Sequence, residues 1–319
     1  MTTELRASIL IIGDELLGGF VRDTNSGFIA ERLRDHHVPL DRVQVVPDEM
    51  DAIDEALQAE LARARPRVIL TTGGIGSTPD DITFEAVAAS LGRDVVEDST
   101  IAQLLDGAMR WTEEQGIALD DESRHQFLRM ARIPVGAELM PTDGWAPAVR
   151  VDVDGGTDAG GVTIVILPGV PSQMRTLMAS GVEPVLLLDR NDPWDVVELT
   201  HGYPESLLNP TFLRLEREHP GVKLGSYPGS PMLVRLQGAP PAVALAAALV
   251  RDDLAALDAS AGGKKILASW GARLRESTGD DSHDGAPDGA SDRASDTASD
   301  RASDTASDRA SEPEESTDG

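Results

Sequence analysis

Cysteine is absent from this 319-residue chain, which excludes disulfides, thiolate zinc sites, iron–sulfur clusters and cysteine nucleophiles together. Long apolar runs are missing as well. The longest, Val243 to Val250, falls far short of the ~20 residues that span a membrane. The opening MTTELRASILIIG lacks the extended apolar region of a signal peptide, so a soluble, cytoplasmic protein without a membrane partner is expected. Lysine is nearly absent: Lys223, Lys264 and Lys265 are the three, and the remaining basic residues are arginine. Against 28 basic residues stand 55 Asp and Glu, for a net charge of −27. That balance argues against a nucleic-acid partner held by a basic face. An acid-rich, lysine-poor chain also suits a very salty cytoplasm, where salt screens self-repulsion.

Three pieces are expected: an α/β domain over 1–190, a small α+β domain over 191–275, and a disordered acidic tail over 276–319. The tail holds 14 acids against three arginines and a literal repeat, ASDRASDT, from Ala290 to Thr305. It offers no large apolar side chain to offset the entropy of ordering.

Within the first piece, apolar runs alternate with helical patterns. Ala7 to Ile12, Val43 to Val46, Arg67 to Thr72 and Gly161 to Leu167 read as strands. Thr24 to Arg34, Met50 to Ala64, Ile82 to Leu91 and Thr100 to Gln115 read as helices. Such alternation predicts a mostly parallel sheet flanked by helices, with ligands at the carboxyl ends of the strands. In the second piece the pattern predicts strands at 196–200, 222–227 and 232–236 and helices at 204–218 and 242–257.

The most informative segment is TTGGIGSTPDDIT, from Thr71 to Thr83. It follows a predicted strand and opens a predicted helix. Gly73, Gly74 and Gly76 let backbone amides approach an anion, so with Ser77 and Thr78 they form a candidate phosphate loop. Asp80 and Asp81 would repel that phosphate unless a divalent cation lay between them. The same residues also make a helix start, with Thr78 as N-cap, Pro79 in the first position and Asp81 closing a capping box. Asp14 and Glu15, just after the first strand, would reach the same sheet edge, unless they too serve as caps. Asp23 or Thr24 is expected to cap the next helix. Ser172, in LPGVPS, could cap its helix or bind a phosphate. The histidines share no metal-ligand spacing, and no GxSxG nucleophile pattern is present. Trp145 could cover a flat ring or fill the core.

Taken together, GDELLGGFVRDTNSGFIAERL, TTGGIGSTPDDIT, GWAPA and ILPGVPSQM resemble the molybdopterin-binding-like domain of the MoaB/MogA superfamily, most of all its CinA N-terminal and FAD synthase branch. GSYPGSP, from Gly225 to Pro231, resembles the small domain that follows in those proteins. The resemblance implies a MogA-like fold, a phosphate site at Gly73, Gly74, Gly76, Ser77, Thr78 and Ser172, catalytic Asp80 and Asp81, and a metal held by Asp14, Glu15, Asp80 and Asp81. Two positions depart from the pattern: Ser77 replaces a proline, and Thr142 to Ala148 replaces the usual asparagine and GTAPG.

The activity implied is a metal-dependent nucleotide pyrophosphatase using Mg²⁺, Mn²⁺ or Co²⁺. It would act on ADP-ribose or FAD and release AMP. The alternative is a binding module for molybdopterin or another phosphorylated pterin, with or without catalysis. Relatives of this kind form homo-oligomers, dimers or trimers.

Overall fold

The computed structural model describes residues 4–278. Runs of β-branched and leucine side chains build its central strands. β1 (Arg6–Ile12) is followed by a single helical turn, α1 (Asp14–Leu17), and by α2 (Asn25–Asp35). Then come β2 (Leu40–Val46), α3 (Met50–Leu61), β3 (Arg67–Thr72), α4 (Thr83–Ser90), β4 (Val95–Glu97), α5 (Ser99–Glu114) and α6 (Asp121–Arg129). β5 (Arg132–Pro134), β6 (Glu138–Leu139), β7 (Val149–Val153), β8 (Val162–Leu167) and α7 (Pro171–Leu177) complete the main unit. A π-helical stretch, Met178–Leu187, extends α7 and contains Pro184.

The main sheet has the order β2-β1-β3-β8-β7-β6. β2, β1, β3 and β8 are parallel, with Ile9 opposite Leu70 and Leu70 opposite Val165. β7 pairs antiparallel with β8, Val149 opposite Ile166, and β6 pairs antiparallel with β7. All six residues of β3 and of β8 are buried, as strands covered on both faces require. The two-residue period of a strand sends Ile9, Ile11 and Leu70 to one core with Ile29, Leu33, Met174 and Leu177. Leu10, Ile12 and Ile69 go to the other, with Ile53, Leu57, Val87 and Leu105. The mostly parallel, helix-flanked sheet is the architecture that the sequence predicts.

At the amino end of β3, Arg67 is buried. It donates to Asp41 Oδ2 at 2.6 Å, Ser8 Oγ at 2.6 Å and the Ala64 carbonyl at 3.1 Å. Two further carboxylate bonds, Arg6 to Asp41 and Ser8 to Glu60, close the cluster. This ionic knot lies at the sheet edge opposite the one the glycine loop occupies.

A second unit comprises Val197–Leu236 and the described chain from Ala244 onward. It draws on β9 (Asp195–His201), α8 (Asn209–Glu218), β10 (Lys223–Tyr227), β11 (Met232–Gly238), α9 (Pro240–Ala259) and α10 (Ala261–Thr278). Its strands take the order β10-β11-β9. Leu208, Leu215, Val234, Leu236 and Val250 are buried, and the Tyr203 hydroxyl donates to Asp258 Oδ1 at 2.6 Å. The expected tail from 276 falls outside the described residues except for its first three positions, which α10 contains as helix. Among the described residues no helix is long and apolar enough to cross a membrane.

Candidate functional site

Four turns meet at the carboxyl edge of the parallel strands, and each is shaped by a small number of residues. After β1 the Gly13 amide donates to the Val46 carbonyl at 3.1 Å. The Asp14 amide then donates to Asp48 Oδ2 at 3.0 Å. After β3, Gly73 takes φ +102°, and a Cβ there would lie 2.0 Å from the Ile12 carbonyl oxygen. Gly74 takes φ +64°, with a hypothetical Cβ 2.3 Å from Thr83 Oγ1 and 3.1 Å from Asp48 Oδ1. Only glycine fits either position. Thr83 fastens the loop: its hydroxyl donates to the Gly73 carbonyl at 2.9 Å and its amide to the Gly74 carbonyl at 2.9 Å.

The loop's donors divide cleanly. The Gly73 amide donates to the Leu167 carbonyl at 3.2 Å and the Thr78 amide to Asp81 Oδ2 at 2.8 Å. The four amides between them, 74 to 77, have no protein acceptor among the described residues. A run of unpartnered amides in a glycine loop is an arrangement that can receive an anion.

Asp80 and Asp81 fall outside any helix, because α4 starts at Thr83 with Ile82 in the cap position. Thr78 is therefore not its N-cap. Half of a capping box forms, the Thr78 amide donating to Asp81 Oδ2, but the Thr78 hydroxyl also donates there and the Asp81 amide goes to the Thr78 carbonyl instead. These bonds close an isolated turn instead of opening a helix, because the Thr83 bonds to Gly73 and Gly74 fix the helix start further on. Asp81 is thus the staple of the turn. Arg129 of α6 holds its exit, donating to the Asp81 carbonyl at 3.1 Å and to Glu85 at 3.3 Å. Asp80 is exposed, and its neighbours in the turn, the Thr78 side chain first and then its own amide, favour its carboxyl in the charged form, below its ordinary value.

Asp48, two residues beyond β2, is the carboxylate that the sequence pattern did not single out. Burial pushes it above its ordinary value. The Asp14 amide opposes that shift, and the charges of Asp14, Glu15 and Asp80 add to it. Three of the four carboxylates expected at the site therefore surround a fifth. No three His, Asp or Glu side chains among the described residues are grouped to ligate an ion by themselves. Hard carboxylate oxygens beside the 74–77 amides nonetheless suit Mg²⁺, which takes one or two carboxylates and completes its shell with phosphate oxygens and water.

The turn after β8 approaches the glycine loop closely, since a Cβ on Gly169 would lie 3.4 Å from Gly73 Cα. Asn25 joins the two, donating from Nδ2 to Thr72 Oγ1 at 3.0 Å and to the Gly169 carbonyl at 2.8 Å. Its helix is capped by Asp23, whose Oδ1 accepts the amides of Asn25 and Ser26. Ser172 is exposed and sits at the second position of α7, not at its cap, which is Val170. Pro171 takes the first position and shifts the helix start forward.

A family described as "Probable molybdopterin binding domain" matches residues 8–187, the stretch that supplies all four turns. The chain belongs to this molybdopterin-binding family. A protein of Pyrobaculum aerophilum is 35% identical over 226 residues, covering 70% of this chain and 79% of that one. A CinA-like protein of Myxococcus xanthus is 33% identical over 228 residues. That alignment covers 69% of this chain and 51% of the relative, so the chain spans about half its length. A crystal structure of the protein CinA, of unknown function, from Thermoplasma acidophilum is 29% identical over 56% of this chain and 96% of that one, with a TM-score of 0.46. The kinship read from the four sequence segments is that of the molybdopterin-binding family and its CinA-like members.

Proposed function

We propose that the chain is a CinA-like, metal-dependent nucleotide pyrophosphatase that cleaves the diphosphate of ADP-ribose or FAD and releases AMP. The observation that carries this reading is the run of free amides at 74–77 set against the carboxylates of Asp14, Glu15, Asp48 and Asp80. In such a site the amides bind phosphate oxygens and stabilise the charge that develops as the phosphorus is attacked. Asp14, Glu15 and Asp80 are the side chains that would hold the cation, with Asp48 behind them. A bound divalent cation would offset the diphosphate charge. Asp48 Oδ2 is taken by the Asp14 amide, which leaves Oδ1, beside Gly74, to accept a proton from an attacking water. Asp81 acts indirectly, by holding the turn that presents the amides.

The family description favours a second reading from the same cradle, a binding module for molybdopterin or another phosphorylated pterin. Chromatography of products decides between them. The protein is incubated in molar KCl with Mg²⁺, Mn²⁺ or Co²⁺ and either ADP-ribose or FAD. AMP appearing only with metal, and lost in Asp80→Ala without loss of fold, supports hydrolysis. No turnover with any metal moves the assignment to the pterin-binding module. Asp81→Ala differs from Asp80→Ala in also losing about 0.5–2 kcal/mol of stability, because the cap-type bonds of the turn go with it.

A further inference from the structure

Trp145 is 52% exposed, a large aromatic left in water on a protein with few aromatic residues. Its place in the fold is specific. The connection between β6 and β7, residues 140–148, is a hairpin loop closed by the Met140 amide on the Ala148 carbonyl at 2.9 Å. Because Val149 pairs with Ile166 near the carboxyl end of β8, that loop rises from the same sheet edge as the amide cradle. The loop runs beside α7, since a Cβ on Gly144 would lie 3.3 Å from Thr176 Cγ2, and within the loop the Gly144 amide donates to Thr142 Oγ1 at 2.8 Å. β3, which carries the cradle, and β7 are separated in the sheet only by β8. Two strand spacings come to roughly 10 Å, about the span from a phosphate through a sugar to a planar base. The exposed Val170 lies between, at the start of α7.

We infer that Trp145 is the ring platform of the site: it stacks on the planar nitrogen heterocycle of the ligand whose phosphate the 74–77 amides hold. This assignment rests on the phosphate-ester reading above and adds to it the residue that holds the ring. Stacking is tolerant of ring identity, since every heterocycle has a π face, so it serves a purine and a pterin alike.

The test is equilibrium binding to the full-length protein in molar KCl with Mg²⁺, using AMP, ribose 5-phosphate and a pterin monophosphate as probes. Wild type should bind AMP more tightly than ribose 5-phosphate, which has the phosphate and sugar but no ring. Trp145→Ala should weaken AMP binding by roughly 5- to 150-fold, the range of base–aromatic stacking, and leave ribose 5-phosphate unchanged. Trp145→Phe should keep most of the AMP affinity. Tryptophan emission should be quenched by AMP in wild type and not in Trp145→Phe. The pterin probe separates the two ring sources. Equal weakening of AMP and ribose 5-phosphate, or of neither, overturns the platform while leaving the phosphate reading intact. A Trp145→Ala variant that changes oligomeric state with AMP affinity unaltered overturns it too, by making the residue a subunit contact. Absence of binding by all three probes removes the phosphate-ester reading and this inference with it.

Discussion

The amide of Asp14 donates to Oδ2 of Asp48 at 3.0 Å, which ties the turn after β1 to the turn after β2. That bond holds Asp48 among like charges in a half-buried position. Its carboxyl is raised from the ordinary value of 3.8, by burial first and then by Asp14, Glu15 and Asp80. A raised carboxyl destabilises the fold where it is ionised, and the cost disappears as pH falls through the folded value. Asp48→Asn keeps an acceptor for the Asp14 amide and removes the charge. It should therefore unfold at a higher temperature than wild type at pH 7, with the gap closing as pH falls toward 3.8. Under the pyrophosphatase reading the same variant loses turnover. Thermal melts across pH, run beside the product assay, check both, and a variant melting below wild type at pH 7 would contradict the account.

Gly73 is the position where the loop tolerates least. Its φ of +102° and the 2.0 Å approach of a Cβ to the Ile12 carbonyl oxygen make Gly73→Ala strained on two independent grounds, and the neighbour is backbone that cannot swing away. A cost of about 3 kcal/mol or more is expected, read as a lower urea midpoint at unchanged slope. Gly92 is the internal control: it too has a positive φ, +62°, but open space where its Cβ would go. Gly92→Ala should cost about 1 kcal/mol.

The central strands were legible because burial on both faces demands continuous apolar runs, and Arg67 to Thr72 is such a run whatever surrounds it. The glycine loop was legible for a similar local reason. Asp48 was not. Its significance comes from meeting Asp14, 34 residues away in sequence, and no local pattern marks that meeting. The span of α4 was legible, Ile82 to Leu91 against the observed Thr83–Ser90, but the cap read into Thr78 and Asp81 misled for the opposite reason. Their bonds close a separate turn, and tertiary bonds from Thr83 place the helix start beyond it. α6 escaped notice because it buries no residue fully and so shows no apolar stripe. β7 escaped because a five-residue strand needs its partner β8 to be recognised.

At the other end of β3, Asp41 should govern acid unfolding. Hydrogen bonds and charge from Arg6 and Arg67 hold its carboxyl down to about 2 from an ordinary 3.8. A lowered carboxyl contributes stability that is complete above its unfolded value and is lost as pH falls through the folded one. Asp41→Asn should therefore cost up to about 2 kcal/mol at pH 7, a small remainder of that at pH 2, and change steeply between. The buried Arg67 keeps the Glu60 carboxylate at 3.5 Å beside Ser8 and the Ala64 carbonyl, so the loss at neutral pH is that of the Asp41 pair alone. Urea titrations at pH 7, 4 and 2 measure it, and a difference that does not vary with pH would point to lost packing in place of the ion pair.

Net charge makes the last prediction the broadest. With a formal charge of −27 and three lysines in 319 residues, the folded chain repels itself. The Debye length is ~3 Å at molar salt and ~10 Å at 0.1 M, so neighbouring surface carboxylates are isolated from one another in the first case and coupled in the second. The ionic knot around Arg67 is buried and changes little with salt, whereas exposed pairs such as Arg110 with Asp106 weaken as salt rises. If repulsion outweighs those pairs, as the twofold excess of acids predicts, KCl must stabilise the protein steadily from 0.1 M to beyond 1 M. Sodium sulfate would strengthen apolar burial as well as screen, so KCl and NaCl at matched ionic strength are the proper titrants. A melting temperature that stays flat or falls over that range would mean that the acidic surface serves solubility alone.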